Sequence, residues 1–156
     1  MSDPLTWIRA VHFAATLALA GAVIFGAAIA GPALRVPPGE GARFRVHLLR
    51  VAWSGLAIAV VSGAAWLVLL AAQMSERAPT QAFSDGIVWT VLLHTTFGHD
   101  WLIRLALAVL LAAALCRLSP ERSAPSRWAA AALLAAAFAA ALVHSCLLYT
   151  SDAADE

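Results

Sequence analysis

"WIRAVHFAATLALAGAVIFGAAIAGP", residues 7–32, decides the fold. From Trp7 to Ala30 the only charge is Arg9 and the only other strongly polar side chain is His12, and Gly31-Pro32 closes the run. A helix needs roughly 20 mostly apolar residues to cross about 30 Å of hydrocarbon, and this stretch is long enough. Working outward, three more stretches qualify or nearly do: about Leu48–Ala72, Trp101–Leu118 and Trp128–His144. The expected fold is all-α: a polytopic membrane protein with four transmembrane helices, at about 7–30, 48–72, 101–118 and 128–144. Between the second and third lies "SDGIVWTVLLHTTFG", residues 84–98. It is apolar but too short to span, with Ser84-Asp85 as a start signal and Gly98 as a stop. It is expected to form one short interfacial or re-entrant helix on the outer face.

Composition agrees. Of 156 residues, 62% are hydrophobic and 12% charged, and mean hydropathy is +0.82. Soluble domains carry about 25% charged residues. The formal charge of +1 speaks against a nucleic-acid partner; the partner implied is the lipid bilayer. Cysteine is scarce, Cys116 and Cys146 only, so neither a disulfide framework nor a thiolate metal site is expected.

All ten basic residues are arginines, and they sort by loop. Arg35, Arg43, Arg45 and Arg50 follow the first span; Arg117, Arg122 and Arg127 follow the third. The stretch 73–100 carries only Arg77 against Glu76, Asp85 and Asp100. Arginine-rich loops stay in the cytoplasm, so the N-terminus and residues 73–100 are expected on the outer, periplasmic side of a bacterial inner membrane. A rival is a signal peptide cut after Ala28-Ile29-Ala30. It has a weak basic start, with Asp3 offsetting Arg9, and it would leave four arginines outside. Small residues at every fourth position, Ala18, Ala22, Gly26 and Ala30 in the first span and Gly55, Ala59 and Gly63 in the second, are expected at helix–helix contacts.

Five histidines are present. His47 falls among the cytoplasmic arginines; His12, His94, His99 and His144 all fall toward the outer face. Polar groups at membrane depth are expensive and face a partner or a cavity, and imidazole is a common ligand for copper, zinc and iron. His12, His94, His99 and His144 are therefore the candidate metal ligands. Met74, near the same face, offers a soft thioether suited to Cu(I). Arg9, one turn before His12, and Arg104, one turn inside the third span, are supporting candidates that hold an anionic group or a carboxylate such as Asp100. Plainer roles compete: a helix–helix hydrogen bond for His12, an interfacial position beside Trp89 for His94, a helix start for His99, lipid-interface filling for Met74, and anchoring by snorkelling for the arginines. There is no HxxxH or CxxC pair.

The stretches "WIRAVHFAATLALAGAVIF" and "WTVLLHTTFGHDWLIRLALA" resemble the copper resistance protein D (CopD) family. The first is similar to its opening span, with His12-Phe13 and a later Gly and Phe. The second is similar to its signature of a Trp, a Thr-x-Phe-Gly turn, then Trp and Arg: here Trp89, Thr95 or Thr96, Phe97, Gly98, Trp101 and Arg104. The resemblance covers most of residues 7–118. It implies an inner-membrane protein that moves copper between periplasm and cytoplasm, a transporter rather than an enzyme, often working with the small periplasmic copper binder CopC. Members commonly have about eight spans, so the chain resembles an N-terminal half whose C-terminal half is missing. The alternative is a b-type haem redox protein with His12 and His144 as axial ligands across a four-helix bundle; a membrane fragment without activity of its own is the third possibility.

The C-terminal stretch stands apart. "CLLYTSDAADE", residues 146–156, carries the only Tyr and three of the nine acids. It resembles the translation of a transposase adapter used in sequencing libraries and is expected to be non-native. The family-like part is then residues 1–145, with ten arginines against six acids and a charge of +4.

Overall fold

The computed structural model describes residues 4–30, 40–76, 78–118 and 124–152. Among them the chain is all α-helical, with no strand. Helix α1 spans Pro4–Phe25 and continues as a π-helical segment, Gly26–Ala30; α2 spans Glu40–Ser75; α3, Pro79–Ser84; α4, Ile87–His94; α5, Thr96–Cys116; α6, Pro125–Asp152. Four of them, α1, α2, α5 and α6, are long and apolar enough to cross a membrane. Helices suit such a solvent because each backbone N–H and C=O finds its partner within its own segment.

The helix ends differ from the expected spans in informative ways. Helix α2 begins at Glu40 rather than near Leu48. Arg43, Arg45 and Arg50 therefore lie on helix and not in a loop. Hydropathy marks only the part that hydrocarbon can cover, while arginine is itself a good helix former; 36 residues make a rod of about 54 Å, well beyond the apolar thickness. Helix α5 begins five residues earlier than expected, which puts His99 and Asp100 in its first turns. Helix α6 continues past His144 to Asp152, since nothing in that stretch is Gly or Pro.

The segment expected to hold one short helix does so in α4, and a second short helix, α3, precedes it. Asp85 caps the end of α3, and Gly86, at φ 73°, turns the chain into α4. Gly98 is not a stop but part of the first turn of α5. The break falls at Thr95, whose extended backbone separates α4 from α5. Its hydroxyl donates to the carbonyl of Val91 at 2.6 Å and accepts from the Gly98 N–H at 3.0 Å. A β-carbon at Gly98 would run into the carbonyl oxygens of Val91 and Leu92. Thr95 is thus the capping threonine of the motif, and Gly98 lets α5 start against the end of α4.

α1 packs along α2 and α6, and α5 packs along α6. The main core draws on all four long helices: Leu19 and Val23, Ala52 and Leu56, Leu111 and Leu115, Trp128 and Phe138. The Trp128 ring lies against Gly26, where α1 passes into its π-helical segment. A second core lies toward the end of the bundle where α1 begins. There Leu5, Trp66 and Leu142 meet Phe97, while Val88 and Val91 hold α4 against Leu67 and Ala71 of α2. The α1–α2 seam does use small residues, with Gly55 against Ala15 and Leu19 and Ala59 fully packed. Of the expected α1 stripe, Ala22 and Gly26 are buried but Ala18 is exposed.

Candidate functional site

His12 lies between the two cores. On α1 the buried face runs through Leu5, His12, Ala15, Thr16, Leu19 and Val23, the three- and four-residue steps of one helix side. The packing of the helix therefore carries the imidazole inward, and His12 is only 4% exposed. It sits about 12 Å along the axis from the start of α1. Its Nδ1 is 2.9 Å from the carbonyl oxygen of Ala59 and 3.2 Å from Ser62 Oγ. A carbonyl can only accept, so Nδ1 carries the proton and donates. The Ser62 hydroxyl itself donates to the Ile58 carbonyl at 2.6 Å. In the neutral ring Nε2 then holds the lone pair. Thr16, fully buried, donates to the His12 carbonyl at 2.9 Å and ties the site to the next turn.

Gly63 provides the space. A β-carbon there would lie 3.0 Å from Trp101 and 3.1 Å from the His12 ring, tighter than side chains normally pack. Its absence lets α1, α2 and α5 meet around the imidazole. Beside His12 is a cavity of about 20 Å³, lined also by Ala59, Trp101, Arg104, Leu105 and Phe138. That is room for one water.

Arg104 is buried, at 5% exposure. Its Nη2 donates to the carbonyls of Ala141 and Leu142 at 2.9 and 3.4 Å. Rather than snorkelling, the plainer of its two expected roles, the side chain crosses to α6 and fastens α5 to it. Arg9 is half-buried, its guanidinium carbon 5.0 Å from the centre of the Trp66 ring. Trp66, 5% exposed, makes edge contacts with His12 at 5.8 Å and with Phe97 at 5.9 Å between ring centres. Its Nε1–H is buried with no hydrogen-bond partner among the described residues. A buried indole normally finds an acceptor, and leaving a donor unmet costs about 1–3 kcal/mol.

The other candidates lie elsewhere. His94 ends α4, His99 is in the first turn of α5, and His144 is near the end of the apolar part of α6; all three are exposed. Met74, 62% exposed, is at the end of α2, and half-buried Asp100 is one turn before Arg104. Among the described residues no three His, Cys, Asp or Glu side chains come together to hold a metal ion. The structure joins His12 with Arg104 around one cavity and Arg9 with Trp66 beside it. Sequence reasoning missed Trp66 and Ser62 and read Gly63 only as a helix-packing residue; the available signal was Ser62-Gly63, a polar and a small residue side by side within an apolar run.

What this arrangement offers chemically is one oriented imidazole nitrogen inside a bundle. Metal-binding histidines usually donate their second N–H to a carbonyl or carboxylate, which fixes the tautomer and the ring plane; His12 does so through Ala59. No curated protein and no solved structure is significantly similar to the chain. A family model, copper resistance protein D-like, N-terminal domain, matches residues 1–145. Over that length, which includes all four membrane-length helices up to Ser145, the chain belongs to the copper resistance protein D-like family, as its N-terminal domain.

Proposed function

We propose that this multi-pass membrane protein transports or handles copper as its cargo, taking it up at the periplasmic face of a bacterial inner membrane and conferring copper resistance or supply. The observation that carries the reading is the His12 Nδ1–H donated to Ala59 O, which leaves Nε2 as a pre-oriented ligand in the bundle. Family membership supports copper as the metal. The charge rule supports the orientation, with the N-terminus, α3 and α4 outside. In this reading exposed His94, His99, His144 and Met74 are single, outward ligands that collect copper, from solution or from a periplasmic binder such as CopC, and His12 is the inner one. We read residues 146–156 as non-native from their resemblance to a translated sequencing adapter; finding their codons at the genomic locus would refute it.

Copper accumulation and tolerance in cells expressing the full-length protein test the function. His12→Ala is expected to abolish the difference from cells lacking it. Unchanged copper handling in that variant would overturn the role given to His12. Haem is the other outcome to watch, though no geometry favours it: ligand pockets for a group that size run to roughly 300 Å³ or more, against about 20 Å³ here, and His144 does not line this cavity. A Soret band in purified protein that disappears with His12→Ala would replace copper handling with the redox reading.

A further inference from the structure

We propose that the exposed face of the first turns of α2, carrying Arg43, His47 and Arg50, binds the headgroup of an anionic phospholipid at the membrane surface where α2 begins. The inference is independent of the metal and of the histidines toward the other end of the bundle.

Residues 51–72 carry no charge and are long enough to cross the hydrocarbon by themselves. Helix α2 nevertheless starts at Glu40, so its first turns overshoot into the headgroup layer. There Arg43, His47 and Arg50 stand four and three residues apart, the spacing of one helix face, and all three are exposed. The row runs about 10 Å along the axis, enough to reach across a headgroup layer of roughly 5–8 Å. Two guanidiniums, whose planar forks suit phosphate oxygens, flank an imidazole. Glu40 is the only acid between residues 32 and 75, so little on this helix offsets the row. The start of α2 is also fixed in place. Leu48 is buried against Ala22 of α1, and the Phe44 ring makes an edge contact with Phe25 at 6.0 Å between centres. Phe44 and Phe25 are themselves 41% and 39% exposed, so apolar surface stands beside the basic row. A phospholipid presents that combination, a phosphate joined to acyl chains; free phosphate has only the first.

The full chain in a neutral detergent is titrated with phosphatidylglycerol or phosphatidylcholine, and the first bound lipid is counted by native mass spectrometry. The wild type is expected to prefer phosphatidylglycerol. An arginine near an anionic membrane surface contributes about fivefold in affinity, so Arg43→Gln with Arg50→Gln is expected to cut the preference by roughly twenty-five-fold. Arg43→Lys with Arg50→Lys keeps the charge and is expected to keep most of the preference. Circular dichroism checks the fold of each variant, and the lysine pair separates lost binding from lost structure. Arg117→Gln with Arg127→Gln removes equal charge from the same end of the bundle, on α5 and α6 rather than on the row, and is expected to change the preference little. Four results overturn the site: no preference in wild type, an equal loss in the Arg117 and Arg127 variant, a loss in the lysine pair as large as in the glutamine pair, or displacement of the lipid by glycerol phosphate at equal concentration. None of them bears on copper handling, which the accumulation experiment above tests separately.

Discussion

At the scale of the residue, the site depends on side chains that are small or absent as much as on those that are polar. His12 is held by a carbonyl and a hydroxyl one turn apart on α2, and it can approach because position 63 has no side chain. Gly63→Ala is expected to cost about 1–3 kcal/mol, the usual range for overpacking, and to turn the imidazole away from Ala59. The measurement is the shift in thermal midpoint in detergent, together with loss of Cu(I) binding. Thr95 offers a cleaner contrast. Thr95→Ala removes a cap and is expected to destabilise by about 1 kcal/mol, whereas Thr95→Ser keeps the hydroxyl and most of the stability. Thr96, its neighbour in sequence, is exposed, and Thr96→Ala is expected to leave the thermal midpoint unchanged. The motif alone leaves the choice between these two threonines open; the extended backbone at Thr95 makes it.

At the scale of the element, the seam between α1 and α2 holds the site in register. Apolar transfer does not drive helices together in lipid, so close packing and hydrogen bonds between them do. Ala59 serves both: its methyl is buried in the seam and its carbonyl receives His12. Ala59→Leu is expected to push the helices apart and destabilise by about 1–3 kcal/mol. Ala18→Leu, on the exposed side of α1, is expected to change stability by under about 0.5 kcal/mol. Equal effects in unfolding titrations would mean that α1 is rotated from the arrangement described. Every fourth residue being small reveals a sticky helix but not which of several small-residue rows meets the neighbour. In α1, alanine is so common that more than one row qualifies, and the row chosen is the one that also carries His12 and Thr16 inward.

At the scale of the whole molecule, the four long helices alternate in direction, so the start of α1, the ends of α2 and α6 and the start of α5 share one end. Leu5, Trp66, Leu142 and Phe97 pack together there. The proposed orientation puts that end in the periplasm. An alkaline phosphatase fusion at Ala78 is therefore expected to be active and one at Ala124 inactive; the reverse pattern would invert the proposed topology.

The sequence by itself determined the all-α class, the four apolar helices and a short helical segment between the second and third. Hydropathy is a sum over a window of the chain, and it needs no knowledge of neighbours. His12 as a membrane-depth polar residue was legible for the same reason. The tertiary structure alone decided that His12 is buried while His94, His99 and His144 are exposed, that Arg104 turns to α6, and that Trp66 stands between Arg9 and His12. Those outcomes depend on how each helix is rotated about its axis and which helix lies opposite. A one-residue step turns a side chain by about 100°, and only packing against the other helices fixes that angle.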